Sequence, residues 1–229
     1  MLKRYPQFSF VFAIIFAFQL IADLNDLEWL VYISKPLITI SLIIFIWKEI
    51  KHQGRFSKRI IGGLIFSLFG DVFLIFSGVN QLYFMAGLGA FLFAHLFYIS
   101  AFFVDYHKKE QANKTYVWTA IIVFGTYCIG FYFYLRPHLG DLKIPVMIYA
   151  FVISLMAIMA VSRVNKVNTA SFNLVLVGAL FFVSSDSFLA YFKFVEPSEY
   201  SGLIVMSTYM IAQFLIAMGN VERKFLRRD

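Results

Sequence analysis

Long, nearly unbroken apolar stretches alternate with short polar segments along the whole chain. Eight of these stretches approach or reach the length of a membrane-spanning helix, since about 20 mainly apolar residues cross about 30 Å of hydrocarbon. The predicted spans are residues 8–22, 30–47, 60–77, 81–104, 116–135, 144–162, 172–194 and 201–220. Apolar and polar residues do not alternate within them, as they would in the strands of a membrane barrel. The pattern therefore predicts an all-α, polytopic bundle of eight transmembrane helices.

The composition excludes a water-soluble fold. Of the 229 residues, 61% are hydrophobic and only 14% are charged, whereas soluble domains have about 45–50% apolar and about 25% charged residues. The single cysteine, Cys128, excludes a disulfide scaffold within the chain. Because the connections between spans are short, we expect residues 1–229 to form a single transmembrane domain.

The first span has two possible interpretations, a retained helix and a signal peptide. Lys3 and Arg4 precede about 15 apolar residues, which is also the pattern of a signal peptide. The only nearby small-residue site, Leu20-Ile21-Ala22, matches a cleavage site poorly. We therefore expect a retained helix.

The distribution of the 20 Lys and Arg residues predicts the orientation of the bundle. Sixteen of them fall at the termini or in the even-numbered connections: Lys3, Arg4, Lys48, Lys51, Arg55, Lys58, Arg59, Lys108, Lys109, Lys114, Arg163, Lys166, Arg223, Lys224, Arg227 and Arg228. The opposite side carries Arg136, Lys143 and Lys193, and its first loop contains Asp23, Asp26 and Glu28 without a base. By the positive-inside rule, both termini are predicted to lie in the cytoplasm.

The net charge of +7 is accordingly a topology signal. The basic residues are scattered, and no nucleic-acid-binding motif accompanies them, so we expect no nucleic acid as a partner. The lipid bilayer, with its anionic headgroups, is the expected neighbour. Short loops are typical of a bacterial protein, which favours a multi-pass protein of the inner membrane.

Two segments resemble each other across half the chain. Residues 63–76 and 178–191 both contain Gly, then Asp eight residues later, then Phe-Leu after one further residue. The offset between Asp71 and Asp186 is 115 residues. Because these are the third and seventh predicted spans, the halves would be two parallel four-helix repeats related by an axis along the membrane normal.

Four ionisable side chains lie clearly inside predicted spans, away from the span ends: Lys35, Asp71, His95 and Asp186. Such groups are costly in hydrocarbon and usually mark function. At a rise of about 1.5 Å per residue, Lys35 lies about 8 Å, Asp71 about 9 Å and Asp186 about 12 Å from the outer helix ends. His95 lies deeper. We therefore expect three charges from three helices to meet in one layer.

Structural roles for the same residues remain open alternatives. A lysine and two aspartates also form ion networks that hold helices together, and Lys35 is close enough to the surface to snorkel outwards. Tyr98 lies one turn after His95 on its helix face, which suggests that the two side chains are hydrogen-bond partners. Tyr209 and Gln213 are four residues apart in the last span, and their polarity suggests that they line the same cavity.

Several enzyme classes are excluded by missing residues. Zinc chemistry needs three or four His, Cys or carboxylate ligands, and His95 is the single histidine within a span. The sequence contains no G-x-S-x-G elbow. It also contains no P-loop, dinucleotide fingerprint or CxxC motif. We expect no metal and no cofactor, and the remaining chemistry is that of a pair of carboxyl groups.

The motifs, taken together, resemble the YhhN-type lysoplasmalogenase family between about residue 34 and residue 217. In chain order, the matching positions are Ser34-Lys35-Pro36-Leu37, Gly63-Leu64, Ser67, Gly70-Asp71, Gly87-Leu88, Phe91, His95-Leu96-Phe97-Tyr98, Pro145-Val146, Tyr149, Met156, Gly178-Ala179-Leu180-Phe181, Ser185-Asp186-Ser187, Thr208-Tyr209, Ala212-Gln213 and Leu215-Ile216.

This resemblance implies an eight-helix membrane enzyme that hydrolyses the vinyl-ether bond of a lysoplasmalogen. The products would be a fatty aldehyde and glycerophosphocholine or glycerophosphoethanolamine. On this interpretation, Asp71 and Asp186 are catalytic. Seven of the other matching polar residues would support the site or bind the lysophospholipid substrate: Lys35, His95, Tyr98, Tyr149, Ser185, Tyr209 and Gln213.

Two carboxyl groups suit that reaction. Protonation of a vinyl ether gives an oxocarbenium-like cation, and glycosidases divide acid and carboxylate roles between two carboxyl groups at a similar transition state. The sequence does not assign the two roles. A proton-coupled carrier and a lysolipid-binding protein without turnover are the alternative functions. The headgroup preference and the oligomeric state are left open by the sequence.

Overall fold

The computed structural model describes residues 4–50, 54–106 and 114–224. In these ranges the chain forms eight α-helices, together with two 3-10 turns, Arg136–His138 and Gly140–Leu142. The helices are α1 (Pro6–Leu24), α2 (Glu28–Glu49), α3 (Arg55–Ile75), α4 (Gln81–Tyr106), α5 (Lys114–Leu135), α6 (Lys143–Val161), α7 (Thr169–Phe194) and α8 (Ser201–Val221). Each overlaps one predicted span, so the prediction of an all-helical bundle is confirmed.

Seven of the helices in the described ranges are long and apolar enough to cross a membrane. The remaining helix, α3, carries Arg55, Lys58 and Arg59 at one end and Asp71 within its apolar part. On α5, Trp118, Ile122 and Ile129 are 63%, 66% and 61% exposed. Exposed apolar side chains of this size are expected where a helix faces lipid, and the protein is accordingly a multi-pass membrane protein. Six of the basic residues used for orientation, Lys3, Lys51, Lys108, Lys109, Arg227 and Arg228, lie outside the described residues.

Glycines bring the two most closely packed helix pairs together. A Cβ atom on Gly63 of α3 would lie 2.3 Å from the Tyr98 ring of α4. A Cβ atom on Gly178 of α7 would lie 2.9 Å from Ile216 of α8 and 3.0 Å from the Ala212 carbonyl oxygen. Small residues at such contacts allow close approach of membrane helices. The pairs α3–α4 and α7–α8 therefore form the centre of the bundle.

The contacts of the first four helices have counterparts among the last four. Helices α1, α2, α3 and α4 pack in chain order, as do α5, α6, α7 and α8. Between the halves, α4 packs against α6 and α8 packs against α2. The α4–α6 and α8–α2 contacts therefore correspond to each other, whereas α8 additionally packs against α1.

A hydrogen-bonded ionic cluster of two arginines and one aspartate closes one end of the bundle. The Arg163 Nε–H donates to Asp105 Oδ2 at 2.9 Å, and the Arg223 guanidinium binds the same carboxylate. The Arg163 guanidinium also donates to Ser171 Oγ at 2.9 Å and lies 5.1 Å from the Phe56 ring centroid. These residues, Asp105, Arg163, Ser171 and Arg223, are called the Asp105 cluster below.

The Asp105 cluster corrects the interpretation of Arg163 as a loop charge on the membrane surface. Arg163 and Asp105 are both 0% exposed. Burial lowers the pKa of the Arg163 guanidinium to about 10, although the adjacent Asp105 carboxylate favours its charged form. The turn after α6 carries the guanidinium inward because both a carboxylate and aromatic rings surround it there.

Candidate active site

A cavity of about 260 Å³ opens at the end of the bundle opposite the Asp105 cluster. Its walls come from α1, α2, α3, α4, α7 and α8. Five residues proposed from the sequence line it: Lys35, Asp71, Ser185, Asp186 and Tyr209. The structure therefore brings the two aspartates and Lys35 to one cavity.

Asp71 is held by a chain of side-chain hydrogen bonds that crosses from α3 to α8 and α4. The Tyr209 hydroxyl donates to Asp71 Oδ2 at 2.7 Å and accepts from Gln213 Nε2 at 3.1 Å. The Tyr98 hydroxyl donates to Gln213 Oε1 at 2.7 Å. Asp71 itself is 1% exposed. This chain fixes one carboxylate oxygen and leaves Oδ1 for the cavity.

Asp186 has a different set of partners, which come from α4 and α6. The Tyr149 hydroxyl donates to Asp186 Oδ2 at 2.6 Å. His95 Nε2 lies 3.0 Å from the same oxygen and 3.0 Å from the Tyr149 hydroxyl. Because a carboxylate only accepts, the tautomer with the proton on Nε2 donates to Asp186. It leaves Nδ1 buried without a partner among the described residues.

Each of the two hydrogen-bond networks joins helices from both halves of the chain. His95 of α4 contacts Asp186 of α7, and Tyr209 of α8 contacts Asp71 of α3. Tyr98 and Gln213, which are joined by a hydrogen bond, are themselves 115 residues apart. Each aspartate is thus positioned by a helix of the other half.

Four of the sequence-predicted residues do not line the cavity but lie behind its carboxyl groups: His95, Tyr98, Tyr149 and Gln213. The interpretation of Tyr98 as the partner of His95 is wrong. Tyr98 contacts Gln213 of α8, whereas His95 contacts Tyr149 of α6, because their positions on α4 face different neighbouring helices. Likewise, Gln213 reaches the cavity only through Tyr209.

Lys35 and Ser185 both lie on the cavity wall, with different surroundings. The Lys35 ammonium interacts electrostatically with the carboxylates of Asp71 and Asp23. Ser185 donates its hydroxyl to the Val205 carbonyl oxygen of α8 at 3.0 Å, so its hydroxyl bonds a helix backbone.

Sequence reasoning missed five polar residues of this cavity: Gln19, Asp23, Ser77, Lys193 and Ser201. Asp23 was interpreted as a loop residue, but it lies in the last turn of α1. Gln19 is the one amide side chain in the first span and stands four residues before Asp23, on the same helix face. That spacing is the signal that would have placed both residues in a site.

These features define a polytopic membrane protein with a paired-carboxyl cavity inside its helical bundle. The chain belongs to the YhhN family, whose model matches residues 30–220. Lysoplasmalogenase TMEM86A of Bos taurus is 35% identical over 172 residues, which cover 73% of this chain and 67% of that protein. Lysoplasmalogenase TMEM86B of Homo sapiens is 27% identical over 90% of this chain and 81% of its own length.

The lysoplasmalogenase of Mycobacterium tuberculosis is 30% identical over 72% of this chain and 61% of its own length. No solved structure matches the chain.

Proposed function

We propose that the chain hydrolyses the vinyl-ether bond of a lysoplasmalogen, releasing a fatty aldehyde and a glycerophospho-ethanolamine or -choline. The observation that carries this proposal is the pair Asp71 and Asp186 on the walls of one cavity inside an apolar bundle. Similarity to lysoplasmalogenases over most of the chain supports a hydrolase of this type.

The reaction needs one carboxylic acid and one carboxylate. A proton adds to the β-carbon of the vinyl ether, and the resulting cation resides on the carbon bonded to oxygen. Water adds to that carbon, and the hemiacetal then collapses to aldehyde and glycerol hydroxyl. No other reactant is required, because water supplies the hydroxyl and the catalytic proton is returned.

The surroundings of the two aspartates suggest which group has which role. Asp186 Oδ2 accepts hydrogen bonds from both Tyr149 and His95, so this oxygen is held as an acceptor by two donors. Asp71 is fully buried and accepts one hydrogen bond on Oδ2, so its Oδ1 is available to carry the proton. We therefore assign the proton donor to Asp71 and the cation-stabilising, water-activating carboxylate to Asp186.

Two small apolar pockets adjoin Asp186, one between α5, α6 and α7 and the other between α4, α6 and α7. Both are lined by Val146, Tyr149, Asp186 and Ala190, and each has almost no polar surface. The alkenyl chain would leave the vinyl ether in this direction. The headgroup would then occupy the wider, polar cavity.

The same proposal includes the topology of the bundle. All eight helices would cross the membrane as a single domain of two parallel repeats, with both termini in the cytoplasm of a bacterial inner membrane. The matched helix contacts of the two halves support the repeat. The Gly63 and Gly178 contacts, which occur at equivalent positions, support it independently.

Aldehyde release from lysoplasmenylethanolamine by purified protein tests the proposed function. Wild type should release aldehyde, and Asp71→Asn and Asp186→Asn should each lose at least about 100-fold in rate, as expected for general acid–base groups. Asp141→Asn is the matched control, because Asp141 is exposed in the short 3-10 turn before α6. Uptake of substrate into vesicles without aldehyde, by a folded wild type, would instead identify a carrier.

A further inference from the structure

The mouth of the cavity contains a third carboxylate, that of Asp23. One of its two oxygens is held by a hydrogen bond from Gln19. Ser34 donates its hydroxyl to Gln19 Oε1 at 2.7 Å, and Gln19 Nε2 donates to Asp23 Oδ1 at 3.0 Å. Gln19 is 0% exposed, so this chain of bonds is inside the bundle. It orients the carboxylate of α1 relative to α2.

The other oxygen of Asp23 is not bound by any side chain or backbone group in residues 4–50, 54–106 and 114–224. Asp23 Oδ2 is buried and forms no hydrogen bond with the described residues. Buried acceptors in proteins are nearly always satisfied, and each exception calls for an explanation. Because Asp23 lines the cavity, a donor on a bound ligand is the simplest partner for this oxygen.

Two lysines on the same cavity wall supply the opposite charge. Lys35 of α2 and Lys193 of α7 both line the cavity. Among the described residues, neither lysine forms a close ion pair with a carboxylate. The Lys193 ammonium instead lies 4.9 Å from the centroid of the Phe84 ring. A lysine ammonium group that forms no close ion pair with a carboxylate can bind a phosphate.

The rim of the cavity leaves little room beside Asp23. A Cβ atom on Gly202, at the start of α8, would lie 3.3 Å from Asp23 Cγ and 3.3 Å from Oδ1. Glycine at this position therefore accommodates the carboxylate. The Asp23 side chain is consequently held between α1, α2 and the first turn of α8.

We propose that Asp23, Lys35 and Lys193 form a headgroup subsite for a phosphoethanolamine, with the ammonium on Asp23 and the phosphate between the lysines. This inference rests on the proposed function, since it names the headgroup of the same substrate. A primary ammonium has three N–H donors and satisfies Asp23 Oδ2. A trimethylammonium has none and would bury that oxygen against methyl groups. The site therefore selects ethanolamine over choline.

The experiment compares lysoplasmenylethanolamine with lysoplasmenylcholine of the same alkenyl chain, using aldehyde release to obtain kcat/KM. Wild type should prefer ethanolamine by about 10-fold or more, because a site built for a hydrogen bond discriminates against an analogue that lacks the donor. Asp23→Asn should abolish the preference by losing activity mainly on the ethanolamine substrate. Asp26→Asn is the matched control, since Asp26 lies three residues away and does not line the cavity.

Lys193→Gln provides a second variant at an exposed position. It should lower kcat/KM for both headgroups equally and leave turnover of a phosphate-free 1-alkenylglycerol unchanged. Equal losses on both headgroups in Asp23→Asn, or a wild type without preference, would overturn the headgroup assignment.

Binding measurements separate this inference from the proposed function. If wild type releases no aldehyde from either substrate, the proposed function fails. The affinities of wild type and Asp23→Asn for the non-cleavable ester lipids lysophosphatidylethanolamine and lysophosphatidylcholine then decide the inference. Wild type that binds the ethanolamine lipid more tightly, with the difference lost in Asp23→Asn, supports the subsite; equal affinities reject it.

Discussion

The two ends of the bundle both contain buried charges, but they differ in how those charges are satisfied. In the Asp105 cluster, one carboxylate is bound by two guanidinium groups and the surrounding rings pack against them. In the cavity at the other end, three aspartates and two lysines face a space of about 260 Å³. Charged groups that bind one another directly hold helices together, whereas charged groups on the wall of a cavity are placed where a ligand can contact them.

This difference explains why an ionisable residue in a membrane helix is not by itself a sign of catalysis. Removing one partner from a buried pair costs about 3–5 kcal/mol, since it leaves an uncompensated charge. Removing a carboxyl group from the cavity should cost much less stability, because neither Asp71 nor Asp186 is the counter-charge of a buried guanidinium. Substitutions in the Asp105 cluster should therefore lower stability, whereas substitutions of the carboxyl groups in the cavity should lower activity.

The largest effect on stability is expected from Asp105→Asn. Without this carboxylate the buried Arg163 guanidinium has no counter-charge, and the free energy of unfolding should fall by about 3–5 kcal/mol. Aldehyde release per folded molecule should stay at the wild-type value. Denaturant unfolding in detergent, beside Asp141→Asn, measures the first quantity. A catalytic loss without a loss of stability would reverse the roles assigned to the two ends.

Gly63→Ala should affect both stability and activity, because this contact lies between the two ends. The added Cβ atom would be 2.3 Å from the Tyr98 ring, and overpacking of this kind costs about 1–3 kcal/mol. Moving Tyr98 also disturbs the hydrogen bonds that lead to Asp71, so aldehyde release should fall. The control is Gly89→Ala, at a helical position with nothing within 4 Å. Equal stabilities for the two variants would argue against the close α3–α4 contact.

Tyr209→Phe is expected to have the smallest effect, and a specific one. It removes the donor to Asp71 Oδ2, and such a bond is worth about 1 kcal/mol. We expect kcat to fall several-fold while KM is unchanged, because Tyr209 acts through Asp71. Tyr200→Phe, at a half-exposed position before α8, should behave as wild type.

A double variant sharpens the Tyr209 prediction. If the tyrosine works through the aspartate, Tyr209→Phe should add almost nothing to Asp71→Asn. Additive losses would show that Tyr209 contributes independently of Asp71.

The sequence predicted the helices well because their apolar stretches are long and bounded by charged residues. The spans were assigned at 60–77 and 172–194, and the helices begin earlier, at Arg55 and Thr169. Polar residues extended both helices beyond the apolar stretch, and hydropathy contains no signal for that. The depth of a residue in the membrane also follows from the sequence, because it depends only on the number of residues to the end of the helix. This count places Lys35, Asp71 and Asp186 in one layer.

The sequence does not predict how each helix is rotated about its own axis, and therefore which neighbouring helix each side chain faces. The central helices are apolar on all sides, so no polar face indicates which neighbour each residue contacts. Tyr98 and His95 were therefore paired with each other, although they contact α8 and α6 respectively. Asp23 and Arg163 were assigned to loops for the related reason that a charge near a helix end is usually solvated. Their burial depends on partners supplied by distant segments.

The most direct test of the central claim is the isotopic composition of the aldehyde formed in D₂O. Purified wild type should place one deuterium on C2 of the aldehyde, because the Asp71 carboxyl exchanges with solvent and then protonates the β-carbon. The same product should form at least about 100-fold more slowly with Asp71→Asn. Rapid trapping of the aldehyde and mass spectrometry measure both quantities. Aldehyde without deuterium at C2, or undiminished deuterated aldehyde from Asp71→Asn, would contradict the account.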